Sequence, residues 1–448
     1  MSNFTKNPEV MKITGQIREK AANKDYRVSD VIMREKGKEY QYVDLVLEGG
    51  GTLGIALVGY IHALEQADIR FLGMGGSSVG AIVALLAYSC GKRTMEKGEK
   101  LAEIISEMNL GDMIDGKYAA KNLSNILGTE NVRLRKTQIC FNFVFSMRRL
   151  FKHLGLNPGD ELYNWIAEKL AQNKIEKLEQ LNELTKWIPE ELIFRRTGER
   201  ILKYDTRLKM VAADITTGTK VVFPEMAEMY WQDYNEVNPA CFARASASIP
   251  IFFEPYLVSG ISKIIENSEK WALRGSFTGK LPDKVSFADG GLFSNFPIDL
   301  FKRPGIPRAP TFGARLGDKD RTMKEIDNLG QYGVNLFNSL RHYADYDFIF
   351  KNPLYKNLIT NIPTNKYNWL DFNMKPETQL ELFKEGVKAG AEFLDRFKWK
   401  QYKKQRKAER VIYDIKIDGA DFKVGSSKDD YDDEDYAENA DGKADADI

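Results

Sequence analysis

Residues 44–91 read DLVLEGGGTLGIALVGYIHALEQADIRFLGMGGSSVGAIVALLAYSCG and contain two glycine-rich turns in succession. The short apolar strand pattern of Val43–Leu47 runs into Gly49–Gly51, and apolar residues at helical spacing follow over Ile55–Gln66. A second strand pattern then leads to the pentapeptide GSSVG at residues 76–80 and an apolar helix. Two consecutive strand–helix units of this kind predict a parallel sheet covered by helices.

The pentapeptide has the form G-x-S-x-G, with Ser78 at its centre. Gly76 and Gly80 permit a sharp strand-to-helix turn that projects the serine, because side chains there would collide with neighbouring backbone. The helix that starts at Val79 directs its N-terminal N–H groups toward a reacting carbonyl and so favours developing negative charge. The pattern therefore predicts Ser78 as a nucleophile, with Ser77 as a spacer.

The three glycines Gly49–Gly51 follow a strand and can present backbone N–H groups either to an oxyanion or to a phosphate. A nucleotide site has little support. The chain has no G-x-x-x-x-G-K-[ST], and GGGTLG does not fit G-x-G-x-x-G followed by an acidic partner. We therefore interpret this glycine loop as an oxyanion hole.

Asp289 is the expected base for Ser78, since it follows the strand pattern VSFA and precedes Gly290 and Gly291, which allow a tight turn. A triad histidine would be expected in such a place, at a strand end with turn residues around it. The three histidines of the chain occupy no position of this kind: His62, His153 and His342. A Ser–Asp dyad is therefore favoured over a Ser–His–Asp triad. Burial should raise the proton affinity of the Asp289 carboxylate.

Composition excludes several classes of protein. The 448 residues carry a formal net charge of +1, which gives no global attraction to nucleic acid. Three cysteines without a C-x-x-C pair indicate neither a disulfide framework nor a zinc cluster. The chain shows neither the apolar segment of a signal peptide nor a run of about 18 apolar residues. A cytoplasmic protein or one peripheral at a membrane is expected, with signal-independent secretion as an alternative.

Shifts in composition divide the chain. Residues 1–40 are interpreted as a polar N-terminal arm, residues 41–410 as the hydrolase domain, and residues 411–448 as an acidic, disordered tail. Within the domain, polar helical patterns predict an insertion at about 95–200 and a helical C-terminal portion at about 320–410.

Two charged stretches leave alternatives open. The aromatic and basic residues 138–156 are either a lid or lipid-facing surface, or a core helix of the inserted subdomain. The basic segment Arg396–Arg410 lies near the acidic residues 428–448. Either the basic helix touches anionic lipid and the acidic tail competes with the lipid for that helix, or the two are a solvated helix and a solvated tail.

The glycine loop, the serine pentapeptide and the late Asp-Gly turn together resemble the patatin-like phospholipase family. The resemblance covers roughly Tyr42 to Pro297 and includes VAADITTGTKVVF and ARASASIPIFFEPY between the serine and the aspartate. It implies that Ser78 is the nucleophile and Asp289, with Gly290 in its Asp-Gly motif, the base. It also implies one oxyanion loop, formed by Gly49, Gly50, Gly51 and Gly54.

The resemblance further implies a three-layer α/β/α fold with a central, mostly parallel sheet. The implied activity is hydrolysis of fatty-acyl esters of phospholipids, of phospholipase A or lysophospholipase type, without metal or cofactor. Phospholipid or a membrane surface would be the partner, and nucleic acid would not. The family loop usually reads G-G-G-x-[RK]-G, whereas this chain has Leu53 at the basic position. That departure motivates a lipid-binding pseudoenzyme or scaffold as the alternative; hydrolysis of a non-lipid ester, or acyl transfer, is a third hypothesis.

Overall fold

The computed structural model describes residues 4–108, 110–115, 150–202, 207–264, 267–302, 309–317, 326–327 and 329–407. None of the helices within these ranges is both long and apolar enough to cross a membrane.

A large mixed sheet forms the centre of the molecule. The described strands are β1 (Val31–Glu35), β2 (Lys38–Leu47), β3 (Ile69–Ser77), β4 (Gly155–Asn157), β5 (Ile193–Phe194), β6 (Leu208–Asp214), β7 (Thr219–Phe223), β8 (Ile251–Phe253), β9 (Tyr256–Ser259), β10 (Lys284–Ala288), β11 (Thr311–Leu316) and β12 (Ile359–Ile362). The main path runs β12-β11-β2-β3-β6-β10-β9, and its first five strands are mutually parallel. Strands β10 and β9 join antiparallel, β1 and β7 branch off, and β4 pairs with β8 separately.

Helices cover this sheet. The α-helices include α1 (Pro8–Ala22), α2 (Gly54–Glu65), α3 (Val79–Ser89), α4 (Gly98–Ser106), α5 (Asp160–Gln172), α6 (Leu178–Lys186), α7 (Ala240–Ser246), α8 (Asn267–Gly275), α9 (Leu329–Lys351) and α10 (Pro376–Arg396). Helix α10 packs against both α1 and α2, whereas α3 packs with α5, α6 and α7. The predicted α/β/α architecture with a mostly parallel central sheet is confirmed.

The stretch that predicted the fold lies at its centre. Every residue of β3 and of α2 is buried, as expected for a parallel strand and a helix enclosed by other layers. The predicted units around residues 43–47, 55–66 and 79–88 correspond to β2, α2 and α3, with longer strands than the apolar runs alone indicate. The strand extensions contain polar residues, which hydrophobic patterning does not assign to a strand.

The boundary predicted at residue 40 does not coincide with a structural boundary. Strand β1 pairs antiparallel with β2 inside the main sheet. Helix α1 inserts Val10 and Ile17 into the main core, and Glu9 pairs with Lys384 and Lys388 of α10. Residues 4–35 therefore pack as part of the domain. Their sequence did not predict this, because the apolar stripe of α1 is narrow and the rest of the helix is polar.

The predicted helical insertion contains α4, α5 and α6, and also the short strands β4 and β5. Most of the aromatic, basic stretch, up to residue 149, lies outside the described residues, as does the tail beyond residue 407. The C-terminal portion contains α9 and α10, and between them β12, which extends the parallel sheet next to β11. That four-residue strand was not predicted, since its short sequence ITNI has no distinctive pattern.

Close approach of α2 and α10 gives a test of this packing. A Cβ atom on Gly386 would lie 1.9 Å from the Ala56 carbonyl oxygen, whereas one on Gly15 in α1 would have no neighbour within 4 Å. Gly386→Ala should therefore destabilise the protein by about 1–3 kcal/mol through overpacking. The matched variant Gly15→Ala should be neutral or stabilise by about 0.5–1 kcal/mol. Urea denaturation measures both, and equal midpoints for the two variants would contradict this packing.

Candidate active site

Ser78 occupies the turn between β3 and α3. Its backbone has φ 53° and ψ −125°, a left-handed conformation that costs a non-glycine residue about 1–3 kcal/mol. Its N–H donates to Ser246 Oγ at 2.9 Å, and Ser246 Oγ donates to the Val211 carbonyl at 2.5 Å. The strained turn is thus fixed to α7 and β6 by hydrogen bonds.

Two glycines make room for this turn. A Cβ atom on Gly76 would lie 2.4 Å from the Leu47 carbonyl oxygen, and one on Gly80 would lie 2.3 Å from the same atom. The end of β2 therefore presses directly against the turn. Only glycine allows the backbones to approach this closely.

Asp289 reaches Ser78 across β6. Strand β3 runs parallel to β6 and places Ser77 opposite Val211, whereas β10 runs antiparallel and places Ala288 opposite Ala213. The segment that follows β3 and the segment that follows β10 therefore meet beside β6. A Cβ atom on Gly290 would lie 2.0 Å from the Val211 oxygen and 2.7 Å from Ser77 Oγ, which shows how closely they approach.

The Asp289 carboxyl group is buried, and its two oxygens differ in their hydrogen bonding. Oδ1 accepts the Gly291 N–H at 2.8 Å, and the Asp289 N–H donates to the Ser248 carbonyl at 2.8 Å. Oδ2 is buried and forms no hydrogen bond of normal geometry within the described part of the chain. Ser78 nevertheless lies close enough to the carboxyl group to lower its pKa. The two side chains are therefore neighbours in the folded protein.

Burial raises the pKa of Asp289 above its ordinary value. The positive charge of Arg341, the Ser78 side chain and the Gly291 N–H oppose this effect without reversing it. Asp289 is therefore a stronger base than a solvated aspartate, which suits it to accept a proton from a hydroxyl group.

The glycine loop lies beside Ser78, and its N–H groups differ in availability. A Cβ atom on Gly49 would lie 3.1 Å from Ser78 Cβ. The Gly49 N–H, however, donates to the Asn295 carbonyl at 2.9 Å, and the Thr52 N–H donates to the Trp369 carbonyl at 2.9 Å. In the described structure no loop or cap hydrogen bond uses the N–H of Gly50 or Gly51. The N–H groups of Gly50 and Gly51 are therefore candidate donors to an oxyanion.

The remaining predicted loop residue, Gly54, begins α2. A Cβ atom there would lie 2.2 Å from Val79 Cγ2, so the N-termini of α2 and α3 meet at the site. Leu53 is buried and belongs to the main hydrophobic core. At the position where the family usually has a cation, the side chain here supports packing.

The described histidine side chains lie elsewhere. His62 is buried near the Phe383 ring, and burial lowers its pKa to about 4. His153 Nδ1 lies 3.7 Å from a carboxylate oxygen of Glu254. The side chain of His342 lies outside the described part of the structure.

Several residues at the site were not predicted from sequence. Asn295 Nδ2 donates to the Gly49 carbonyl at 3.1 Å, and Glu48 accepts the Leu316 N–H at 2.6 Å. Ser246 supports Ser78, as described above, and Arg341 of α9 donates to Asn295 Oδ1 at 2.5 Å. Asn295 follows the Asp-Gly turn by a few residues, and this proximity in the sequence could have indicated that it lies at the site. Arg341 carries no such signal.

This arrangement brings together the kinds of group that acyl transfer requires. It contains a hydroxyl group on a strained turn, a buried carboxyl group beside it, and, on the adjacent loop, backbone N–H groups without a loop or cap hydrogen bond in the described structure. A nucleophile, a proton acceptor and an oxyanion site are the three requirements of that chemistry.

Comparison with known proteins gives one curated relative and several solved structures. The chain is 26% identical over 355 residues to the uncharacterized protein YqhO of Bacillus subtilis, covering 79% of this chain and 98% of YqhO. VipD from Legionella pneumophila is 15% identical, with a TM-score of 0.37, 83% of this chain covered and 70% of VipD. The ExoU–SpcU complex of the Pseudomonas aeruginosa type III secretion system is 17% identical, with a TM-score of 0.31, 79% of this chain covered and 51% of the matched chain.

The model of one protein family covers more than half of the chain. It matches residues 45–302 and is described as patatin-like phospholipase. The matched residues include the glycine loop, the serine turn and the Asp-Gly turn described above. The chain belongs to the patatin-like phospholipase family, a family of lipid acyl hydrolases.

Proposed function

We propose that this protein hydrolyses fatty-acyl esters of phospholipids, as a phospholipase A or lysophospholipase that uses a Ser78–Asp289 dyad. The observation that carries the proposal is the buried Asp289 carboxyl group beside a serine on a strained turn. Such strain is retained in folded proteins where the surrounding structure enforces it, often at active sites. Family membership supplies the lipid ester as the substrate class.

In the proposed first step, Ser78 Oγ attacks the ester carbonyl carbon while Asp289 accepts the hydroxyl proton. The carbonyl oxygen becomes an oxyanion and accepts hydrogen bonds from the Gly50 and Gly51 N–H groups. The intermediate then collapses, the ester C–O bond breaks, and Asp289 protonates the departing alcohol. The fatty acyl group remains on Ser78 as an ester.

In the second step, Asp289 removes a proton from water, and the resulting hydroxide attacks the acyl-enzyme carbonyl. Collapse releases the fatty acid, and Asp289 returns the proton to Ser78 Oγ. Every proton removed is returned, so the site is regenerated. We further propose that the protein meets its substrate at a membrane surface, as a cytoplasmic or peripheral protein.

Release of fatty acid from phospholipid vesicles tests the proposal. Purified protein is incubated with mixed phosphatidylcholine, phosphatidylethanolamine and phosphatidylglycerol vesicles, and with the corresponding lysophospholipids. Mass spectrometry measures free fatty acid, with Ser78→Ala as the control. We expect fatty acid from at least one lipid with wild type only. Vesicle binding without release would instead favour the lipid-binding alternative that Leu53 motivates. Release from soluble esters alone would favour a non-lipid substrate.

A further inference from the structure

We propose that Arg341 is a positioning residue of the hydrolytic site, acting through Asn295 on the peptide group that joins Gly49 to Gly50. The inference rests on the proposed function, because the peptide group matters only if the loop stabilises an oxyanion. Arg341 lies in α9, more than 280 residues along the chain from the loop.

Three hydrogen bonds connect the cation to the loop. Arg341 Nη2 donates to Asn295 Oδ1 at 2.5 Å, and Asn295 Nδ2 donates to the Gly49 carbonyl oxygen at 3.1 Å. The backbone carbonyl of Asn295 accepts the Gly49 N–H at 2.9 Å. Asn295 thus forms hydrogen bonds with both the N–H and the carbonyl of Gly49. These two hydrogen bonds fix the orientation of the peptide group between Gly49 and Gly50.

The Gly49 carbonyl and the Gly50 N–H belong to one conjugated peptide group. A donor on the carbonyl oxygen withdraws electron density from that group and makes its N–H a better donor. Arg341 polarises the Asn295 amide in the same direction, since it donates to the oxygen of the amide whose nitrogen contacts Gly49. Both effects grow as negative charge develops on an oxyanion at the Gly50 N–H.

The surroundings keep this interaction strong. Arg341 is 7% exposed and Asn295 is 3% exposed, so solvent screens the charge little. The guanidinium group lies 5.5 Å from the Trp369 ring centroid, and the Trp369 carbonyl accepts the Thr52 N–H. Trp369 therefore joins the cation and the far end of the glycine loop into one packed unit.

Nearby carboxylates do not remove the effect. Asn295 Nδ2 also lies 3.3 Å from Glu48 Oε1, but Glu48 has its own cation, with Arg315 Nε at 3.6 Å. A Cβ atom on Gly291 would lie 2.7 Å from Asp289 Oδ1 and 2.9 Å from Arg341 Nη2, so these two atoms flank the same glycine. Arg341 thus lies near both Asp289 and Asn295, and Asn295 contacts the loop.

Substitution of Arg341 tests this role with a soluble p-nitrophenyl ester as the substrate. Arg341→Met removes the charge at similar length, and we expect kcat to fall about tenfold to a hundredfold with KM changed less than about twofold. Arg341→Lys retains the charge and should recover most of kcat. Lys351→Met, an exposed charge removal on the same helix, should leave both constants unchanged.

A double-variant cycle separates the relay from a merely structural contact. If Arg341 acts through Asn295, then Arg341→Met should slow an Asn295→Ala enzyme by less than about twofold. Independent, multiplicative losses would overturn the proposal, as would a change in KM alone. If Arg341→Met lacks a cooperative melting transition, Arg341→Lys is compared with Arg341→Gln, which has a donor but no charge. Lysine should be at least about tenfold faster, and equal rates would overturn the proposal.

Measurements on the wild-type enzyme distinguish failure of the proposed function from failure of the proposed role of Arg341. If wild type neither cleaves the ester nor releases fatty acid from vesicles, the proposed function fails and the role of Arg341 fails with it. If wild type is active and Arg341→Met has wild-type kcat, only the role of Arg341 fails.

Discussion

Replacement of Asp289 by asparagine should lower kcat for ester hydrolysis by about ten-thousandfold. The amide oxygen can still accept the Gly291 N–H, so the turn should keep its shape, but asparagine cannot take the Ser78 proton. General acid–base catalysis contributes about a hundredfold to ten-thousandfold, and Asp289 is proposed to act in both steps of the reaction. Steady-state kinetics with a soluble ester measure the effect. An Asp289→Asn enzyme within tenfold of wild type would show that another group is the base.

The same variant should change the pH profile. Asp289 acts as a base only when ionised, and burial raises its pKa above the ordinary value. The kcat/KM of wild type should therefore be constant at high pH and fall as pH decreases through that raised pKa. In Asp289→Asn this acidic limb should disappear from the residual rate. An unchanged limb in the variant would assign it to a different group.

Replacement of Ser78 by alanine should abolish hydrolysis, with a loss of at least about ten-thousandfold, because no covalent intermediate can form. Ser77→Ala is the matched control. Ser77 is a buried residue of β3, and its Oγ has no hydrogen-bond partner within the described residues. We expect this control to retain activity within about tenfold. A larger loss in Ser77→Ala than in Ser78→Ala would reverse the assignment of the nucleophile.

Both glycine-rich strand–helix units could be predicted from sequence because their signals are local. Most residues of β3 and α3 are apolar or glycine, and the glycines at 76 and 80 lie where β2 approaches the turn. The position of Asp289 was likewise marked by a strand followed by two glycines. These features depend on residues close together in the chain.

Features that depend on distant residues could not be predicted. Helix α1 packs on α10 through a stripe that includes Val10 and Ile17, within an otherwise polar sequence. The hydrogen bond between Arg341 and Asn295 joins residues 46 positions apart, and nothing in the sequence around Arg341 distinguishes it from other arginines. The sequence predicted the same oxyanion role for every glycine of the loop. In the structure the Gly49 N–H already donates to the Asn295 carbonyl, so the glycines differ in whether their N–H groups are engaged.

Covalent labelling of the wild-type protein with a fluorophosphonate shows which serine is the activated nucleophile. The probe phosphonylates a serine that is activated as a nucleophile, and peptide mass spectrometry locates the adduct. The Ser78–Asp289 dyad predicts one adduct on Ser78 in wild type and a much slower reaction in Asp289→Asn. An adduct on Ser77 or another serine, or no adduct on a folded sample, would contradict it.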